Sequence, residues 1–138
     1  MKASKYIVTS EKNLKFKYGK DFAKIDQALK KLIKADRAKG IETSVLYIDS
    51  PSSAKRAGVS AVPSTSPKDC KNAIDELYKR RRPDYIAILG AQDFIPFQEL
   101  NNPAGDDGDD NVPSDLPYAC DAPYSRDVYK FIGPTRVV

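Results

Sequence analysis

Polar and apolar positions change period several times along this chain, and each change marks an element. The least interrupted stretch is Tyr85-Ile86-Ala87-Ile88-Leu89, which follows Pro83-Asp84 and ends at Gly90. A run without a polar break suits a strand covered on both faces, as in a parallel sheet between helices, so the stretch is expected at the centre of the sheet. Pro83 disfavours a helical Arg82 and so closes the preceding helix. Asp93 follows just beyond the carboxyl end of the strand, where open α/β sheets bind ligands.

The rest of the chain falls into place around that strand. Tyr6-Ile7-Val8-Thr9 is short, β-branched and aromatic, and predicts a first strand. Between Asn13 and Gly19, Leu14, Phe16 and Tyr18 alternate with lysines, a period of two that predicts a hairpin extension or an edge segment. From about Asp21 to Lys39, Phe22, Ile25, Leu29, Leu32 and Ile33 recur at helical spacing, with Gly40 placed to end the helix. Ile41–Asp49 is the second strand, and the long helix before it makes a βαβ unit with parallel strands and a right-handed crossover.

Residues 50–66 are rich in Ser, Pro and small side chains and predict a loop, with room for a turn of helix around Ala54–Ala57. Ser66-Pro67 opens a further helix with a hydroxyl cap, proline at its first position and Asp69 at the capping-box position. Its stripe is Cys70, Ala73, Ile74 and Leu77, and it ends in Lys79-Arg80-Arg81-Arg82. Phe94-Ile95-Pro96-Phe97 predicts an apolar loop tucked against the sheet. Residues 101–115 predict an acidic loop, punctuated by Pro103, Gly105, Gly108 and Pro113. Leu116–Cys120 and Val128–Gly133 predict two short strands in a hairpin-like arrangement, and Arg136-Val137-Val138 the start of another strand. The fold class is therefore α/β: one domain, a three-layer sandwich with a mainly parallel central sheet.

Composition narrows the chemistry. There is no histidine among the 138 residues, which removes Ser-His, Cys-His and His-metal chemistry from within this chain. The two cysteines, Cys70 and Cys120, form no C-x-x-C; a disulfide between them is open, but two reduced, half-buried thiols are the favoured reading. Residues 1–100 carry 20 Lys+Arg against 12 Asp+Glu, a net of +8, whereas residues 101–138 carry 3 against 7, a net of −4. A solvated lysine-rich helix face explains the first part more cheaply than a polyanion partner. The basic cluster at 79–82 is explained likewise by the helix C-terminal carbonyls. Nucleic acid is argued against, because aromatics do not interleave with the basic face as a stacking platform requires.

No apolar stretch approaches a membrane span, and the N-terminus lacks the apolar core of a signal peptide, so a cytoplasmic chain is expected unless an export signal was trimmed away. Asp106, Asp107, Asp109 and Asp110 lie in a Gly-containing loop whose hard oxygens suit calcium, although the EF-hand pattern fails at Pro117, where a bidentate Glu is required. No dinucleotide or P-loop signature is present. Asp49 and Gly90, at strand ends on one edge, leave a flavodoxin-like binding module open, with loop capping the favoured role for a lone acid there.

Taken together, the helix at Ser66-Pro67, the strand Tyr85–Leu89 with Gly90 and Ile95-Pro96, and then Ser114-Asp115-Leu116-Pro117-Tyr118 resemble the gingipain-type cysteine peptidases of the caspase-like clan. The family pattern there is an apolar strand ending in Leu-x-Gly-Asp, an Ile-Pro, a Ser-Asp-x-x-Tyr segment, and a strand reaching Gly-Arg. Gly90, Pro96, Ser114, Asp115 and Tyr118 fit it over residues 40–138. Ala91 stands where the family has Asp, and Asp93 lies two positions on. Val137-Val138 would lead into the Gly-Arg strand.

The resemblance implies the N-terminal, non-catalytic subdomain of a cysteine peptidase, with its His-Cys dyad in a C-terminal catalytic subdomain that would be this domain's partner. Peptide substrate would be met through the parent protein. The resemblance requires no cofactor and allows calcium. The rival expectation is a free-standing α/β interaction or ligand-binding module without peptidase activity.

Overall fold

The computed structural model describes residues 2–105 and 108–138. Three strands, β1 (Ala3–Thr9), β2 (Ile41–Tyr47) and β3 (Tyr85–Ile88), form a parallel sheet in the order β2-β1-β3. Ile7 faces Val45 on one side and Ala87 on the other, so a single register runs across all three strands. The centre of this sheet is β1, not the apolar run after Pro83. β3 lies at an edge, and Tyr85 is 43% exposed. The apolar run is not covered along its length: Ile86 is buried in the core, while Ala87, Ile88 and Leu89 are half-buried.

Alternation sends Val8, Leu46, Ile48 and Ile86 to one face, where they form the main core with Ala54, Ala57, Cys70, Ile74, Leu77, Ile95 and Tyr118. That face is covered by α3 (Pro51–Ala57) and α4 (Pro67–Arg81). The other face turns Ile7 toward α2 (Phe22–Ala38), which buries Leu29 as the centre of its apolar stripe. The helix read between residues 21 and 39, the second strand and the helix opening at Ser66-Pro67 all form as expected. Ser66 Oγ accepts from Asp69 N–H at 3.2 Å. Around Ala54, a seven-residue helix with Pro51 in its first turn replaces the expected loop with a single helical turn.

Three expectations are overturned. Asn13–Gly19 is not a strand: Asn13–Tyr18 belongs to α1 (Glu11–Tyr18), and Gly19 opens a 3-10 turn. Ser10 caps α1 by accepting from Asn13 N–H at 3.1 Å, and Glu11 pairs with Lys15 one turn on. These local bonds outweigh the alternation, leaving Leu14 buried and Phe16 92% exposed. Leu116–Ala119 and Val128–Lys130 are 3-10 segments rather than strands, because Pro117 and the Asp127 cap set up tight turns. The antiparallel hairpin falls earlier instead, between β4 (Gln98–Asn101) and β5 (Asn111–Ser114), inside the stretch read as apolar and acidic loops. Phe94 and Ile95 do tuck inward, both nearly fully buried. Arg82 takes a left-handed conformation (φ 46°) and closes α4 through a bond from its own N–H to Tyr78. Pro83 excludes αR there, and the chain takes αL rather than extended backbone.

Candidate functional site

Two regions gather the residues that could carry function: the carboxyl ends of the parallel strands, and the open edge of β3. At the carboxyl ends, Asp49 follows β2, and its carboxylate accepts from Ser10 Oγ (2.6 Å), Glu11 N–H (2.8 Å) and Lys12 N–H (3.1 Å). It caps α1, so its lone pairs are committed to the fold. Gly90 follows β3 at φ +111°, and a Cβ there would lie 2.2 Å from the Phe94 ring. Glycine is required because that ring packs directly on the turn. Asp93 pairs with Lys17 at 2.6 Å, which holds its carboxyl below the usual range and raises Lys17. Beside it, Leu14, Tyr18, Ile25, Leu89 and Phe94 line an apolar groove of about 470 Å³.

The remaining motif residues are tied by one tyrosine. Tyr118 is 1% exposed; its hydroxyl donates to the Pro96 carbonyl (2.6 Å) and accepts from Gln98 Nε2 (2.8 Å). Burial drives its phenol well above the ordinary range. The structure thus brings Pro96 and Tyr118 together, and Gly90, Asp115 and Tyr118 line one small cavity of about 140 Å³. Ser114 is spent locally, its Oγ accepting from Leu116 N–H. Asp93 lies apart from that cavity, on the α1 side.

Of the four loop aspartates, Asp106 and Asp107 fall outside the described residues. Asp109 and Asp110 are exposed, and no three metal-ligating side chains converge among the described residues. Both cysteines are free thiols, and they are fully rather than half buried. Burial pushes Cys70 up to about 12 and raises Cys120, and their sulfurs point at the carbonyls of Ser64 and Gly133. At neutral pH neither is a thiolate, the form a nucleophile needs. Within the basic cluster, Arg81 donates to the carbonyls of Arg56 and Ala57 at the end of α3 rather than of its own helix, Arg80 pairs with Glu76, and Arg82 lies over the Tyr78 ring.

Sequence reasoning missed the buried ion network that positions the second region. Lys71, whose side chain is 0% exposed, reaches both Asp75 oxygens (2.6 and 2.7 Å) and the carbonyls of Cys120 (3.0 Å) and Ala122 (2.8 Å). Arg136, 1% exposed at its side chain, bonds the same carboxylate at 2.7 Å and the Tyr118 carbonyl at 2.7 Å. One carboxylate on α4 therefore anchors two cations, and through them the chain from 118 to 136. Desolvation lowers Lys71, and the hydrogen bonds to Asp75 oppose that effect. The only signal in the sequence was the i,i+4 spacing of Lys71 and Asp75 beside an apolar stripe.

The residue after Arg136 reaches the sheet. Ile86 N–H donates to the Val137 carbonyl at 2.9 Å, on the side of β3 away from β1. Next to it lies a groove of about 600 Å³ whose wall includes the apolar Ile88, Leu116, Pro134 and Val137 and the charged Asp115 and Arg136.

Comparison with protein-family models, with characterised proteins and with solved structures found no match to this chain. Among the described residues, no helix is long and apolar enough to cross a membrane.

Proposed function

We propose that this domain is the N-terminal structural subdomain of a gingipain-like, caspase-like cysteine peptidase, within a three-layer α/β sandwich. It supports a catalytic half that carries the histidine and the nucleophilic cysteine, and it forms one wall of the peptide cleft. The observation that carries this reading is the 2.9 Å bond from Ile86 N–H to the Val137 carbonyl. Val137-Val138 is the segment that the resemblance leads into a further strand, and it lies against the open edge of β3. The burial of both thiols supports a supporting rather than a nucleophilic role for this chain.

The test is to read the coding sequence after the Val138 codon, then assay the longer product and this domain for thiol-dependent peptide cleavage. Cleavage by the longer product alone, abolished by alkylation, is the expected result. A longer product with no His-Cys pair, or one that cleaves nothing, overturns the proposal. The alternative, a free-standing interaction or ligand-binding module, draws on the apolar groove at the carboxyl ends of β1 and β3. In that case the exposed Tyr18 ring at that groove would be covered by a small molecule rather than by a second half.

A further inference from the structure

Helix α1 carries a ring that the fold does not use. Phe16 is 92% exposed, more than any other large apolar side chain among the described residues, while Leu14 on the opposite face is buried. The helix is held by the Ser10 cap and the Glu11–Lys15 pair, in which the ring has no part. Lysines surround it. Lys12 lies one turn before Phe16 on the same face, Lys20 follows in the next turn, and Lys15 and Lys17 flank it in sequence. All four are exposed. Lys12 and Lys20 make no ion pair among the described residues, and Lys15 and Lys17 pair with Glu11 and Asp93 in contacts open to water, which are worth little. Lys15 Nζ also lies 5.3 Å from the Phe22 ring, at the start of α2. Residues 11–39 together hold 10 Lys+Arg against 4 Asp+Glu, a net of +6, which gives this part of the chain a positive field. A solvated lysine face accounts for the charge but not for the ring.

That pairing of charge and ring selects the partner. All the cations of α1 are lysines, point charges that suit smeared negative charge, whereas forked recognition of a single phosphate or carboxylate uses arginine. A nucleic-acid single strand needs successive stacking rings along a charged groove. Here one ring stands clear, and the next aromatic, Tyr18, is stacked on Phe94 with centroids 6.2 Å apart. A bilayer asks only for an apolar side chain protruding among lysines. We propose that α1 docks this domain on an anionic phospholipid surface, with Phe16 entering the acyl boundary and Lys12, Lys15, Lys17 and Lys20 lying among the headgroups. The inference does not rest on the peptidase reading.

The experiment is co-sedimentation of the chain with phosphatidylcholine vesicles, with and without about 30 mol% phosphatidylserine. Binding is expected only to the anionic vesicles and should weaken steeply as salt rises. Phe16→Ser should weaken it about tenfold, the scale of a phenyl ring partly withdrawn from water. Lys12→Gln and Lys20→Gln should each cost about fivefold. None of the three side chains is buried, so the variants keep the fold. The chain contains no tryptophan, so Phe16→Trp supplies a local readout: its fluorescence should shift to the blue and be quenched by brominated acyl chains when anionic vesicles are added. Equal binding to both kinds of vesicle, unchanged binding by Phe16→Ser, or a Trp emission that stays that of water overturns the proposal. So does Phe16-dependent binding of a single-stranded oligothymidylate in place of the vesicles, which would make the ring a stacking platform instead.

Discussion

Replacing Asp75 with asparagine tests whether the buried ion network holds the segment beside β3 in place. The change is nearly isosteric, so it removes charge without opening a cavity. It leaves Lys71 and Arg136, at 0% and 1% side-chain exposure, with carbonyl partners but no anion. Stranding buried charge by deleting its partner costs about 3–5 kcal/mol, against a total stability of about 5–15 kcal/mol for a domain of this kind. Lys71→Met is the informative companion. It leaves Arg136 and Asp75 as a balanced pair and costs only the bonds to the Cys120 and Ala122 carbonyls, about 1–3 kcal/mol. Urea unfolding followed by circular dichroism measures both. Amide exchange at Ile86, whose partner is the residue after Arg136, reports locally. Asp75→Asn should expose the Ile86 amide more than Lys71→Met does. If Asp75→Asn costs less than about 1 kcal/mol and leaves Ile86 protected, the network does not anchor the edge.

Gly90→Ala should destabilise by about 2–3 kcal/mol, because φ +111° is strained for any side chain and the Phe94 ring must move; urea unfolding checks it. Tyr118→Phe should cost about 1–3 kcal/mol in the same assay, since the Pro96 carbonyl loses its donor and Gln98 Nε2 a partner. Iodoacetamide at neutral pH should leave both cysteines unmodified in the native chain and label both in urea; rapid native labelling of either would contradict their burial. Stability should fall in alkali: Cys70 titrates near 12 folded and near 9 unfolded, so its contribution is full below pH 9 and lost between about 9 and 12. In acid the sign reverses, because Asp36 and Asp84 are held below 3.8, and their contribution disappears as pH drops through that region.

Much of the fold was legible wherever periodicity and chain-local signals agree. The Phe22–Ala38 helix has a long apolar stripe and a glycine stop, and the helix from Pro67 has a hydroxyl cap. Each combines two independent cues, and each formed as read. Legibility failed where local bonds and pattern conflict. Leu14, Phe16 and Tyr18 alternate as a strand would, but the Ser10 cap and the Glu11–Lys15 pair are worth more to a short exposed segment than alternation is. The β4–β5 hairpin was hidden because buried Gln98 reads as polar, although Gln98 and Leu100 do alternate with exposed Glu99 and Asn101. Strand order was a tertiary matter. An unbroken apolar run can also lie at a sheet edge with one residue in the core and the rest half-buried or exposed, and β3 does. Of the candidate site, the link between Tyr118 and Pro96 was reachable only through the resemblance. Lys71 left only its i,i+4 spacing to Asp75, and Arg136 was not reachable from either route, since a buried cation leaves no apolar trace.

That invisible network explains how an edge segment is held in one register. Apolar contacts alone would let the 134–138 stretch slide along β3, because Ile88, Leu116 and Val137 present broadly similar surfaces. A slip of one residue would exchange the groups facing Ile86 and turn every following side chain to the opposite face. Arg136 prevents this with bonds in two directions, one to Asp75 on α4 and one to the Tyr118 carbonyl, and both must be met at once. Tyr118 is itself pinned by Pro96, just after β3 and Gly90, so the register reference returns to the strand it serves. An apolar replacement of the same shape could match the stability of the buried ions. It could not match their directionality, which is what fixes the segment at 134–138 in a single register beside β3.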